Sequence, residues 1–217
     1  MNLNSEENLV KQLKILKTKY SLIGIKSEFE AEGSSLKDIS RLRSITNKLK
    51  IKLYVKIGGV EAVNDIYNCI DICVDGIIAP MVETKFGAKK FLDIFDKIKL
   101  KTNPALSINI ETKSGVENLK EILKISSGKI KNVTVGRSDL SGSYFSDKVY
   151  PNSNFILKKI RYISNEASKH NIITTVGGSV NAETIKFYSK IKNVDKFLSR
   201  IETRKVILPT NSFLKKP

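Results

Sequence analysis

Seven short segments of β character alternate with stretches of helical spacing along this chain, and that order constrains the fold more than any other feature. The strand candidates are Leu22–Phe29, Ile51–Ile57, Val74–Val82, Ala105–Ile110, a segment starting at Val133, Ile172–Val176 and Val194–Ile201. Helical spacing of apolar residues fills residues 5–19, Ser35–Lys48, Val60–Ile72, Phe86–Ile98, Ser114–Ile125, Asn154–His170 and Asn181–Ile191. Ser35 with Asp38, and Ser114 with Glu117, have the spacing of helix-starting caps. Strands joined by helices must lie parallel, because a crossover of that length returns the chain to the same end of the sheet. Val74–Val82 is nearly all apolar, as a strand buried on both faces requires. No glycine-rich phosphate fingerprint follows the first strand, and the strand number favours closure over an open doubly wound sheet.

The expected fold is therefore α/β, a single (β/α)8 TIM-type barrel domain over residues 1–217, small for its kind. Seven strands are clear. Lys205–Leu208 is either the eighth or a continuation of the seventh. Too few residues follow it for a closing amphipathic helix, so the expectation is a short barrel, or a helix supplied by a neighbouring subunit in a homo-oligomer.

Charge enters because the chain carries a formal +16. The basic residues are overwhelmingly lysines spread over every helix, with only six arginines and no aromatic interleaving. That pattern reads as a solvated basic surface that steers anions rather than a nucleic-acid site. No apolar run is long enough for a membrane span, and the start lacks the basic and apolar regions of a secretory signal, so a cytoplasmic location is expected. Cys69 and Cys73 are four apart and read as buried free thiols on one helix face.

In a β/α barrel the chemistry sits at the carboxyl ends of the strands. Those ends are polar here. The first offers Glu28, Glu30 and Glu32, the second Lys56, the fourth Glu111, the fifth Arg137 and Asp139, and the seventh Arg200, Glu202 and Arg204. Glu28, Glu30 and Glu32 would share one side if the strand persists, so some must be paired or lie beyond it. Salt bridges to Lys26 or Lys56 would account for such a strand end. Glu111 and Asp139 end neighbouring strands, and two carboxylates so placed can share a hard cation such as Mg²⁺ or Mn²⁺. Helix capping by Asp139, and pairing of Glu111 with Lys56 or Arg137, are the structural alternatives. The sole histidine, His170, precedes the sixth strand at the amino end and reads as structural.

Three stretches in order, Val74-Asp-Gly-Ile-Ile-Ala-Pro80-Met81-Val-Glu83-Thr84, Ile110-Glu111-Thr112 and Gly136-Arg137-Ser-Asp139-Leu140-Ser141, resemble the HpcH/HpaI aldolase and citrate lyase β-subunit family. The resemblance spans about residues 22–208. It implies a divalent-metal-dependent carbon–carbon lyase or aldolase acting on a small 2-oxo acid of pyruvate or oxaloacetate type through a stabilised enolate. It also implies Glu111 and Asp139 as ligands of Mg²⁺ or Mn²⁺, with Lys56, Pro80, Met81 and Arg137 around the substrate. Two positions depart from the family. Glu28-Phe29-Glu30-Ala31-Glu32 stands where a Glu-His pair is usual, which leaves Glu28, Glu30 or Glu32 for the base role, with Lys56 counted beside Glu28 and Glu30 as catalytic and, with Arg137, as neutralising a substrate carboxylate or phosphate. Lys56 replaces an arginine and is a point charge rather than a planar fork. The alternatives are phosphoenolpyruvate or acyl-CoA ester chemistry on the same fold, or a non-catalytic barrel binding an anion or nucleic acid.

Overall fold

The computed structural model describes residues 3–98 and 103–214. In chain order the elements are α1 (Leu3–Tyr20), β1 (Gly24–Glu28), α2 (Leu36–Leu49), β2 (Lys52–Lys56), α3 (Val63–Asp71), β3 (Gly76–Ala79), α4 (Lys85–Lys97) and β4 (Ala105–Asn109). Then follow α5 (Lys113–Glu117), α6 (Leu119–Ser126), β5 (Ile130–Gly136), α7 (Arg137–Gly142), α8 (Asn154–Ser168), β6 (Ile173–Gly177), α9 (Ala182–Ser189), α10 (Val194–Phe197), β7 (Arg200–Glu202), β8 (Val206–Pro209) and α11 (Thr210–Leu214). The eight strands close into a barrel in sequence order, a TIM-type architecture.

Strands β1 to β7 are parallel, but β8 runs antiparallel to both β7 and β1. Only Thr203, Arg204 and Lys205 separate β7 from β8. Three residues cannot make a crossover, so the chain turns back on itself. The turn is closed by Thr203, whose amide donates to the Val206 carbonyl at 2.9 Å and whose Oγ1 accepts from the Val206 amide at 3.0 Å. The uncertain eighth strand is thus separate, reversed, and enters without a helix. Val194–Phe197, expected as the start of a strand, is a short helix, and β7 is confined to Arg200–Glu202.

Local signals set the helix starts. Ser35 and Asp38 form the expected reciprocal capping box on α2. The start after β4 is set by Thr112 rather than Ser114: the Thr112 side chain accepts from the Gly115 amide, and a break at Asn118 divides the expected helix into α5 and α6. Cys69 is buried on α3, and burial pushes its thiol up to about 12. Cys73 lies past the helix end with a φ of 56° and is exposed, so only Cys69 is a buried thiol.

The strand register divides the side chains into two faces. Ile25, Leu53, Val55, Ile77, Ile108, Val133, Val135 and Val176 pack outward with helix residues such as Ile39, Ile66, Phe91, Ile122 and Ile160 in one continuous core. The inward set is different. Tyr54, Ile78 and Ile207 make a small separate apolar cluster. The Tyr54 ring lies where a Cβ on Gly76 or Gly24 would be, 2.3 Å and 2.7 Å away, so both glycines are space-driven. The rest of the interior is polar: Lys26, Glu28, Ser107, Asn109, Asn132, Thr134, Thr175 and Glu202 are all buried. Such groups tolerate burial only when bonded to one another. Accordingly, Thr175 Oγ1 donates to Asn132 Oδ1 at 2.7 Å and Asn132 Nδ2 donates to Thr134 Oγ1 at 3.1 Å. No described helix is long and apolar enough to cross a membrane.

Candidate active site

The polar interior opens at the carboxyl ends of the parallel strands into a pocket of about 490 Å³. Its lining includes four carboxylates, Glu28, Glu111, Asp139 and Glu202, and three cations, Lys26, Lys56 and Arg204. Each carboxylate comes from a strand end or the residues just after it, which is where parallel strands deliver side chains to one face.

On one wall, Glu111 follows β4 and is 3% exposed. Its Oε1 accepts from the Met81 amide at 3.0 Å and its Oε2 from Asn109 Nδ2 at 3.1 Å. Burial pushes the Glu111 carboxyl above its ordinary value and the charge of Asp139 adds to the rise, against the pull of the Met81 amide and Lys56. Asp139 sits exposed in the first turn of α7. Gly136 separates the two for a spatial reason: a Cβ there would lie 2.2 Å from Glu111 Oε2. Gly136→Ala should therefore displace the Glu111 carboxylate while leaving the fold intact. For a divalent cation held at Glu111, the expected loss of affinity is about 10- to 100-fold, read by titrating Mn²⁺ into metal-free protein. Affinity equal to that of the unmodified protein would show that Glu111 does not need its present place.

Across the pocket floor runs a chain of charges. Lys56 Nζ lies 3.0 Å from Glu28 Oε2, Glu28 Oε1 lies 2.9 Å from Lys26 Nζ, and Lys26 Nζ donates to Glu202 Oε1 at 3.0 Å. Burial alone would lower the Lys26 pKa, but Glu202 and Glu28 outweigh it and leave the ammonium above its ordinary value. Burial likewise pushes Glu28 up, and Lys26 and Lys56 pull it further down, so it stays a carboxylate. Both salt bridges considered for Glu28 from the sequence are therefore present.

The other expected site residues are placed differently. Glu30 lies beyond the end of β1, exposed, beside Gly58 and Asp65 in a separate depression. Glu32, also past the strand, is engaged by Lys205 at 2.5 Å. Pro80 and Met81 do not line the pocket; Met81 contributes its amide to Glu111 and leaves its side chain exposed. Arg137 is fully buried and does not line the pocket. Its Nε donates to the Gly177 carbonyl at 3.0 Å, Nη1 to Asn152 Oδ1 at 2.6 Å and Nη2 to the Gly178 carbonyl at 2.6 Å, and its guanidinium lies 5.6 Å from the Tyr188 ring centre. Every face of the fork is used, so Arg137 fixes the loops after β5 and β6 rather than meeting a substrate. His170 lies before β6, at the opposite end of the barrel.

Lys26 and Asn109 are pocket residues that the strand-end reading misses, whereas Glu202 and Arg204 belong to it with no role assigned. The signal for the first was Gly24-Ile-Lys26-Ser-Glu28, in which charged residues fall on alternate strand positions and so face the barrel interior together.

Among the described residues no group of three or more His, Cys, Asp or Glu is placed to hold a metal. The donor set nevertheless suits a hard divalent cation. Two carboxylates, Glu111 and Asp139, face one pocket, and the buried Asn109 Oδ1 beside them lacks a hydrogen-bond partner. Mg²⁺ and Mn²⁺ are commonly held by one or two carboxylates, with water and substrate oxygens completing the shell.

A closed β/α barrel with a polar pocket at the carboxyl ends of its strands is the layout of a TIM-barrel enzyme. Residues 37–205 match the HpcH/HpaI aldolase/citrate lyase family, and the chain belongs to that family, which is typically one of lyases and generally depends on a divalent metal. Similar solved structures include an HpcH/HpaI aldolase/citrate lyase family protein from Burkholderia cenocepacia (TM-score 0.72, 11% identity, 92% of this chain and 82% of that one). An HpcH/HpaI aldolase from Desulfitobacterium hafniense gives TM-score 0.67 at 15% identity over 88% and 80% of the two chains. A variant of the citrate synthase SbnG gives 0.63 at 14% over 83% and 76%. At these identities the likeness is one of fold. No curated protein matches by sequence.

Proposed function

We propose that the protein is a divalent-metal-dependent carbon–carbon lyase acting on a small 2-oxo acid of pyruvate or oxaloacetate type. The observation that carries this reading is that Glu111 and Asp139 line one pocket with Lys56, close enough that both charges act on the Glu111 carboxyl. When bound there, Mg²⁺ or Mn²⁺ supplies a Lewis acid for the 2-oxo group. Glu111 is held ready by Met81 and Asn109, so no rearrangement is needed to present it.

In cleavage of a 4-hydroxy-2-oxo acid the C3–C4 bond breaks and its electron pair passes into the 2-oxo enolate. The C4 hydroxyl releases its proton to solvent as the aldehyde forms, and C3 then takes a proton. In this reading Lys56, which lines the pocket beside Glu28, supplies the C3 proton and is reprotonated from solvent. Glu28, kept anionic by two lysines, positions Lys56 and is a poor proton acceptor, and Glu30 lies outside the pocket. A polar pocket of about 490 Å³ at the strand ends has the size of a small-molecule site, which disfavours the nucleic-acid alternative.

Pyruvate incubated in deuterium oxide with the protein and Mn²⁺ should gain deuterium at C3, and Lys56→Met should slow that exchange by about 10²-fold or more. Exchange that proceeds equally without metal, or equally in Lys56→Met, would refute the assignment.

A further inference from the structure

Along the chain the lysines are spread over every helix, but the barrel sorts them by end. Each crossover helix returns the chain to the amino ends of the parallel strands. The helix carboxyl termini and the loops after them therefore gather on the face opposite the pocket mouth. That face is basic. Lys48, Lys50 and Lys52 run from the end of α2 into β2, Lys131 stands at the start of β5, and Lys190 and Lys192 follow α9. All six are exposed and make no side-chain hydrogen bond or ion pair among the described residues. Lys17 Nζ donates to the Leu49 carbonyl at 2.7 Å, which ties the end of α1 to the end of α2 and brings the exposed Lys19 to the same face.

The carboxylates at that end do not balance these charges. Asp75 is taken by Arg43 and the Leu53 amide, Asp96 by Lys129, and Glu166 by Lys169. Asp71 and Asp195 remain against the bare lysines. Lysines near a helix carboxyl end can serve its dipole. That does not account for this face, because Lys52 and Lys131 lie in strands, and α3 and α8 carry no basic residue in their last turns.

What the face lacks narrows the partner. Exposed apolar side chains such as Leu36, Val63, Met81, Phe86 and Phe145 stand on the mouth side. Among the described residues none stands in the loops that enter the strands, so no exposed ring is there to stack a base. The arginines are engaged, Arg43 with Asp75 and Arg161 over the Phe197 ring at 4.7 Å. The entrances of β2, β5 and β7 are spaced around the ring rather than along one track for a nucleic-acid backbone. Point charges so distributed suit a plane of anionic headgroups, which needs neither a groove nor a planar donor fork.

We infer that the amino-end face is a docking surface for an anionic lipid bilayer, held by its lysines without insertion of apolar side chains. Seated this way, the protein keeps the mouth of its pocket turned to solvent.

Vesicle flotation at about 0.1 M salt tests this, with phosphatidylcholine vesicles that contain about one-third phosphatidylglycerol or none. The protein should float with the anionic vesicles, stay behind with the neutral ones, and be released at about 0.5 M salt, where screening shortens the reach of each charge. At about fivefold per lysine, Lys48→Glu/Lys50→Glu/Lys192→Glu should lower the partition coefficient by about 100-fold or more. Lys37→Glu/Lys113→Glu/Lys148→Glu makes an equal change of charge on the mouth side and should lower it by less than about fivefold. Thermal melts check that both variants fold, and the corresponding Gln variants replace either one that does not. Binding to neutral vesicles, equal losses in the two triple variants, or no binding to either kind of vesicle would overturn the inference. So would an RNA or duplex DNA oligonucleotide that binds more tightly than the anionic vesicles at equal phosphate, which would make the face a nucleic-acid site.

Discussion

Glu111→Gln should cost about 10³-fold in Mn²⁺-dependent exchange at pyruvate C3 and yet raise the melting temperature of the metal-free protein at pH 7 by about 2–4 °C. Both effects come from one fact: Glu111 is a buried carboxylate beside another carboxylate. Losing it removes half of the pair proposed to hold the cation, and with it several kcal/mol of transition-state stabilisation. The same carboxylate is a burden on the metal-free fold, because burial and Asp139 raise its pKa. A raised carboxyl destabilises the folded state at pH values above that pKa, and the burden fades as pH falls and the group protonates. The advantage of Gln should therefore be largest at neutral pH and shrink as pH falls through the raised pKa toward the ordinary 4.5. Mn²⁺ should raise the melting temperature of the unmodified protein by mass action and leave the variant unmoved. Melting curves with and without Mn²⁺ at pH 7 and pH 4.5 read all of this. A variant that still responds to Mn²⁺, or that is destabilised equally at both pH values, would rule out the proposed role.

Lys26→Met should be the most damaging single change to stability, about 3–5 kcal/mol, or on the order of 10 °C for a chain of this size. Lys26 is 7% exposed, and its removal leaves Glu202 without its lysine and Glu28 with Lys56 alone, both deep in the interior. An uncompensated buried charge costs more than the intact pair contributes, so adding Glu202→Gln to Lys26→Met should recover a large part of the loss. The pH dependence follows from the two shifts. Lys26 titrates above its ordinary 10.5 in the fold, so its contribution is fully present below that pH and is lost only as pH rises through the raised value. Glu28 titrates below its ordinary 4.5, so its contribution is present above that pH and is lost as pH falls through the lowered value. The native protein should thus keep this network across the whole neutral range. Denaturant titrations of the single and double variants measure it. A double variant no more stable than Lys26→Met would show that the loss arises from something other than unpaired charge.

Much of the frame was legible because it is written locally. The Ser35–Asp38 capping box and the apolar periodicity of α2, α4 and α8 act within a few residues, and each places a helix where the spacing predicts. Glu111 and Asp139 were legible through their position just after strands of β character, which is why both reach the pocket. Glu30 misled because the alternation that aligns it with Glu28 holds only while the strand lasts, and β1 ends at Glu28. Arg137 misled for another reason. Its position after β5 was right, but the carbonyls of Gly177 and Gly178, forty residues away, hold its guanidinium buried behind the pocket lining.

By itself the sequence determined the βα order, the parallel run of seven strands, and the two acidic positions after β4 and β5. These follow from short-range periodicity and from the fact that a crossover helix fixes strand direction. Only the tertiary structure decided three things: the reversal of β8, the Lys26–Glu202 bond between residues 176 apart, and the single pocket that Arg204 and Glu111 both line. Each depends on barrel closure, which brings β1 against β8 and turns alternate side chains into one enclosed space. A charge's partner there is set by the strand register around the ring rather than by distance along the chain.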